Sequence, residues 1–189
     1  MWLEVESAVL DGIDRSATFL VAIPFAPGVH PRAWGFWSLR DGRHWIGRRH
    51  TNFPDGSICA YVPESGTWRE GGRLDALIDL YSVWALRHLH LEVFGRWPGR
   101  QYSSHPFYSL VEFKDDELCS CDANEPPLQY GECCKPNHLA RNLIELKADF
   151  ERKVGVHLND RTPPAPVLDY TERQRPLPPI NSILGITSP

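Results

Sequence analysis

The 189-residue sequence has no apolar run near the roughly twenty residues that a membrane-spanning helix needs. Its start, Met1-Trp2-Leu3-Glu4-Val5-Glu6, has no basic flank, and its acidic residues interrupt the apolar ones, so no secretory leader is expected there. An excess of positive charge is also missing: 20 Lys and Arg stand against 24 Asp and Glu, a net charge of −4. Nucleic-acid binding draws its affinity from clustered cations, and the one basic stretch, Arg40 to Arg49, is broken by aromatic and glycine residues, so nucleic acid is not an expected partner. There is no internal repeat. Five cysteines, an odd number, fit a reducing compartment better than a disulfide framework, and a cytoplasmic location is expected.

Aromatic and aliphatic side chains are plentiful. Hydrophobic residues make up 42% of the chain, with seven Trp and eight Phe, enough to fill a sizeable core. Residues Trp2 to Val9 and Ala17 to Ile23 read as short strands around turn chemistry at Leu10 to Arg15. Ala33 to Leu39 reads as a further strand before the Arg40-Asp41-Gly42-Arg43 turn. From Leu74 the period changes: Leu74, Leu77, Ile78, Tyr81, Trp84, Ala85 and His88 share one face of a helix that should stop near Phe94-Gly95. A strand is expected at Tyr108 to Phe113, and a second helix from Pro136-Asn137 to Gly155, striped by Leu139, Leu143, Leu146, Phe150 and Val154. The expectation is an α+β fold, with one domain over residues 1–159. Seven of the last thirty residues are proline, which predicts an extended tail over residues 160–189.

Four of the cysteines crowd together. Cys119-Ser120-Cys121, eleven intervening residues, and Cys133-Cys134 present two pairs of soft sulfur ligands, the donor set of a tetrahedral zinc site within residues 117–136. With all four positions taken by protein, such a zinc is structural. Reduced or disulfide-linked cysteines are the alternative. The Cys-x-Cys opening and the Tyr130-Gly131-Glu132-Cys133-Cys134 ending are similar to the small zinc-binding motif at the C-terminus of bacterial secretion ATPases, although the loop is longer here.

The fifth cysteine stands apart in His50-Thr51-Asn52-Phe53-Pro54-Asp55-Gly56-Ser57-Ile58-Cys59. A His-x-Asn triplet, a short Gly-containing turn and then Ile-Cys resembles the active-site stretch of ubiquitin-conjugating enzymes. In that family the triplet is His-Pro-Asn and the cysteine lies one position further on; here Thr51 is the middle residue and Cys59 follows Asn52 by seven. The preceding strand, Pro24-Phe25-Ala26-Pro27 loop and further strand, and the following Trp68 and helix, extend the likeness over residues 17–95.

The resemblance implies an antiparallel sheet with packed helices. It also implies that Cys59 accepts an acyl group from a partner protein's C-terminus and passes it to an amine of a protein acceptor. Asn52 would hold the turn or donate to the oxyanion, and His50 would brace the turn. The family's helix ahead of the first strand has no counterpart before Trp2, which points to divergent bacterial relatives of the kind found in antiphage operons.

The plainer reading stays open beside this one. Asn52, Asp55 and Gly56 are ordinary turn formers, Cys59 can be a small buried hydrophobe, and the chain can be a catalytically inactive, zinc-stabilised protein-binding module. His105 is a candidate base or amine guide. His88 and His90, two apart on a helix, do not share a face and make poor metal partners. The tryptophans read as packing residues, and Asp115-Asp116-Glu117 as a solvated turn.

Overall fold

A computed structural model describes residues 1–7, 15–26, 28–62, 66–121, 123, 125–155, 161–173 and 175–186. The expected first turn, except Arg15, lies outside them. Four strands, β1 (Trp2–Glu6), β2 (Ser16–Ala22), β3 (Arg32–Leu39) and β4 (Gly42–Trp45), form an antiparallel sheet in sequence order. Helices α1 (Leu74–Phe94), α2 (Pro106–Glu112), α3 (Lys135–Leu139), α4 (Leu143–Val154), α5 (Ala165–Arg173) and α6 (Ile180–Leu184) follow. The architecture is therefore mixed, with an antiparallel sheet and helices, as the pattern predicts. The chain divides into two compact units, residues 1–86 with 159–189, and residues 87–158.

In the first unit the central strands β2 and β3 are buried on both faces. Pairing of Leu20 with Trp34 and of Phe19 with Gly35 sorts the side chains by the two-residue strand period. Phe19 and Gly35 face α1: the Phe19 ring lies 5.9 Å from that of Tyr81. A Cβ on Gly35 would come within 2.7 Å of the Trp84 ring, so only glycine lets the indole lie this close to the sheet. On the opposite face Leu20, Ala22, Trp34 and Phe36 pack around Val167, with Leu168, Tyr170, Ile180, Ile183 and Leu184 closing over them.

That second layer corrects the expectation of an extended tail. Proline excludes a helix interior but is well placed in a first turn, where its missing N–H would be unpaired anyway. Pro166 occupies that position in α5, Pro164 offers its carbonyl to the amides of Val167 and Leu168, and Pro179 caps α6. The apolar residues between the prolines recur at three- and four-residue steps and bury against the sheet. Polar ties reinforce the contact: Trp2 Nε1 donates to Pro178 O at 2.8 Å, and Tyr170 donates to Glu4, which also pairs with Arg43.

In the second unit the expected strand at Tyr108 to Phe113 is instead helix α2. Its start is specified by chemistry that outweighs the β-propensity of the aromatic residues: Pro106 presets the first turn, and His105 Nδ1 accepts from Phe107 N at 3.1 Å. Phe107 and Tyr108 then meet Phe150 of α4 at 5.9 and 6.2 Å. The expected long second helix is broken into α3 and α4 by Asn142, whose side chain accepts from the amides of Ile144 and Glu145. Of its stripe, Phe150 is buried, while Leu139 and Leu143 are exposed.

Val167 is fully buried on the sheet, so Val167→Ala should lower unfolding free energy by about 2 kcal/mol, two lost methyl groups plus a small cavity. Denaturant titration measures this. An unchanged midpoint would mean that the C-terminal segment contributes nothing to the core.

Candidate functional site

Residues 50–59 form a tight hairpin. Thr51 bridges Ile58, Asn52 N donates to Ser57 O at 2.7 Å, and Cys59 N donates to His50 O at 2.9 Å. The turn is held from inside: Asp55 Oδ1 accepts from the amide and hydroxyl of Ser57, and Asn52 Nδ2 donates to Ser57 Oγ and Ile58 O at 3.3 and 3.2 Å. The two amide hydrogens of Asn52 are thus used in bracing. His50 sits at φ 51°, in the left-handed region that histidine tolerates better than most residues. Its carbonyl there receives both Cys59 N–H and the indole N–H of Trp84, the latter at 3.0 Å.

The hairpin is fastened to the sheet. Ile58 N donates to Ala33 O at 2.7 Å, Trp34 Nε1 donates to Asp55 O at 2.7 Å, and Arg32 pairs with the Asp55 carboxylate. Cys59 therefore leaves the hairpin at a position set by β3 and α1. Its thiol is half-buried and lies 3.9 Å from Tyr61 O, and Tyr61 in turn packs on Trp68 at 5.1 Å.

The C-terminal segment closes the other side. Gly56, at φ 63°, has no room for a Cβ, which would stand 2.8 Å from the Thr162 carbonyl carbon. Beside it the buried Arg161 guanidinium lies 4.8 Å from the centre of the Phe53 ring. Burial pushes the Cys59 thiol above its ordinary pKa, and the positive charge of Arg161 pulls it back part of the way. Arg161 carries no local sequence signal; it reaches Phe53 through the fold of a segment read as an extended tail.

The second centre is built around Tyr130. Leu118 bridges Gln129, Cys119 N donates to Leu128 O at 2.9 Å, and a single 3₁₀ turn over Tyr130–Glu132 brings Cys133 and Cys134 back to the first pair. The four sulfurs lie within 4.8 Å of one another, with Cys121 and Cys133 at 3.4 Å and Cys133 and Cys134 at 3.9 Å. Metal–sulfur bonds of about 2.3 Å in a tetrahedron place sulfurs about 3.8 Å apart, whereas a disulfide needs about 2.05 Å. The cysteines are all free thiols, and the set fits a single metal ion. The Ala123 amide and then Cys133 draw Cys121 down to about 7, while the thiols of Cys133 and Cys134 are pushed up by their crowding and burial. A bound cation would displace those protons, so metal affinity should rise with pH.

Glu117 is the residue that sequence reasoning missed here. Far from lying in a solvated turn, its side chain is buried and accepts from Trp97 N, Gln101 Nε2 and Lys114 N at 2.7 to 3.0 Å, while its carbonyl takes Tyr130 N–H. The hint was Glu117 beside Leu118 and Cys119, at the edge of the apolar cluster of Phe113, Cys119 and Tyr130. Tyr130 itself is buried with its hydroxyl 3.0 Å from His138 Nδ1.

His88, His90 and His105 have structural partners. His105 accepts from Phe107 N through Nδ1, which leaves Nε2 to donate to Asp149 at 3.1 Å. His88 packs edge-on against Trp97, and His90 Nδ1 donates to Arg96 O. Among the described residues no helix is long and apolar enough to cross a membrane. No protein family, curated protein or solved structure matches the chain.

Two outcomes follow for the sulfurs. Titration with Zn²⁺ or Co²⁺ should saturate at one ion per chain with thiolate-to-cobalt absorption, and Cys133→Ser should lower affinity at least tenfold. For Cys59 the folded chain favours the neutral thiol, so its alkylation, followed by peptide mass mapping, should lag that of an unfolded cysteine at pH 8. The rate should climb as the pH rises past the ordinary thiol range near 8.5. A plateau below pH 8 would contradict the burial effect.

Proposed function

We propose that this chain is a thioester-forming, protein-conjugating transferase of the ubiquitin-conjugating type, with Cys59 as its nucleophile. The observation that carries the reading is the Cys59 hairpin: a braced turn tied to a sheet strand and to the following helix presents one half-buried thiol. An antiparallel meander before that turn and a long helix after it agree with the resemblance in residues 17–95.

In this reading the Cys59 thiolate attacks the thioester carbonyl carbon at a partner protein's C-terminus. A carbon–sulfur bond forms to Cys59 as the donor's sulfur leaves as thiolate. An acceptor amine then attacks the same carbon, the bond to Cys59 breaks, and the amine's proton passes to solvent. Asn52 and His50 serve by holding the hairpin, Asn52 through its side-chain amide and His50 through its backbone carbonyl. The four-cysteine knot would hold a structural zinc that pins the segment between α2 and α3, leaving no open coordination position for chemistry. A place in bacterial antiphage systems follows from the resemblance alone.

Two observations favour a second reading, a noncatalytic protein-binding module: Asn52 spends its amide hydrogens inside the turn, and burial opposes ionisation of Cys59. The two separate experimentally. A transferase should yield a thiol-reducible adduct with its donor protein that survives Cys133→Ser and disappears in Cys59→Ser. A thiol-reducible adduct that persists in Cys59→Ser removes the assignment.

A further inference from the structure

The sulfurs of the four-cysteine knot are brought together by contacts that use no sulfur. Cys119 N donates to Leu128 O at 2.9 Å, Tyr130 N to Glu117 O at 2.7 Å and Gly131 N to Asp115 O at 3.0 Å, so the 3₁₀ turn ahead of Cys133 is laced to the stretch ahead of Cys119. Asp115 adds an ion pair with Lys135, just past Cys134. A Cβ on Gly131 would stand 3.0 Å from that of Asp115, which leaves little room between the two stretches for anything but glycine. The buried Glu117 side chain, with its donors Trp97 N, Gln101 Nε2 and Lys114 N, anchors the same region. None of these contacts depends on a bound ion.

Such a scaffold keeps the thiols adjacent whether or not they share a cation, and adjacent thiols are disulfide precursors. The four are not equivalent. Cys119 is buried with Phe113 and Tyr130, whereas Cys121, Cys133 and Cys134 are partly open to solvent. Cys133 and Cys134 lie 3.9 Å apart through their sulfurs, but consecutive Cα atoms are about 3.8 Å apart, short of the roughly 4.4–6.8 Å that a disulfide spans without strain. Cys121 and Cys133, twelve positions apart in the chain and 3.4 Å apart through their sulfurs, escape that restriction. These two sulfurs need to close by only about 1.4 Å to reach bonding distance.

We infer that the knot is a two-state centre: it holds a metal ion while its sulfurs are reduced, and it gives up that ion when hydrogen peroxide joins Cys121 to Cys133. The inference rests on the reading of the four cysteines as ligands of one ion. In the oxidation, one sulfur of the pair attacks a peroxide oxygen, the O–O bond breaks, and a sulfenic acid forms as one water leaves. The second sulfur attacks the sulfenic sulfur, and its hydroxyl departs as a second water. The two sulfurs lose two electrons to the peroxide, and the two protons needed come from the thiols or, where the ion had replaced them, from solvent. Two ligands are thereby removed, and Cys119 with Cys134 cannot complete a tetrahedral site.

The test uses the full chain, loaded with Zn²⁺ and freed of excess, with hydrogen peroxide as the probe. A chromogenic chelator follows released zinc, and non-reducing peptide mass mapping locates disulfides. One ion should leave per chain as one Cys121–Cys133 disulfide forms, and a dithiol reductant should restore uptake of one ion. The metal-free chain should form the same disulfide. Cys121→Ser should abolish it, and Cys134→Ser, which should still form it, supplies the measurement if the first variant does not fold. Retention of the ion at a peroxide dose that oxidises the metal-free chain, release with Cys121 and Cys133 unlinked, or failure of the metal-free chain to form the disulfide would overturn the inference while leaving the metal reading intact. A reduced chain that takes up no zinc before peroxide is added would overturn the metal reading itself.

Discussion

The approach of Trp84 to Gly35 is the constraint on which the first unit is organised. A side chain at position 35 would hold α1 away from the sheet; without one, the indole settles onto β3 and its N–H reaches the carbonyls of Arg49 and His50. One side chain thereby joins the sheet, the helix and the hairpin that ends in Cys59. The thiol's position is a consequence of helix–sheet packing, and its turn needs little stability of its own. That suits a segment with a left-handed histidine and a glycine that cannot be replaced.

Much of this was legible in the sequence because it follows from periodicity. The strands around Phe19 and Trp34, the helix from Leu74 and the crowding of four cysteines all come from local patterns with a single sensible reading. What escaped was decided by partners distant in sequence or by caps. Aromatic residues at Tyr108 and Phe113 look like strand, yet His105 and Pro106 start a helix and Phe150 completes its packing. Proline-rich composition suggested an extended tail, although the same prolines stand where helices begin. Glu117 looked solvated beside Asp115 and Asp116, and only its three donors, two of them from residues 97–101, make it an interior residue.

The two cysteine centres illustrate different ways of controlling a thiol. At the knot, four sulfurs lie within 4.8 Å of one another, close enough to share one cation. At Cys59 there is one sulfur, and the opposing influences are burial and a guanidinium. The same element is thus suited to holding a metal in one place and to staying a solitary free thiol in another. That contrast gives the four-plus-one division of cysteines a physical basis independent of any resemblance.

The closure of the Cys59 hairpin by Thr162 and Arg161 has a consequence for how the protein is made. During synthesis the sheet, the hairpin and the first part of α1 leave the ribosome long before residues 161–173, which supply both the buried arginine and the helix over Leu20 and Trp34. Until then the nascent chain carries an uncovered apolar sheet face and a hairpin that lacks its contacts with Arg161 and Thr162. Closure of the hairpin is therefore a late, long-range event that coincides with sealing of the core, so a chain interrupted before residue 161 would expose its hydrophobic interior and an open Cys59 hairpin together.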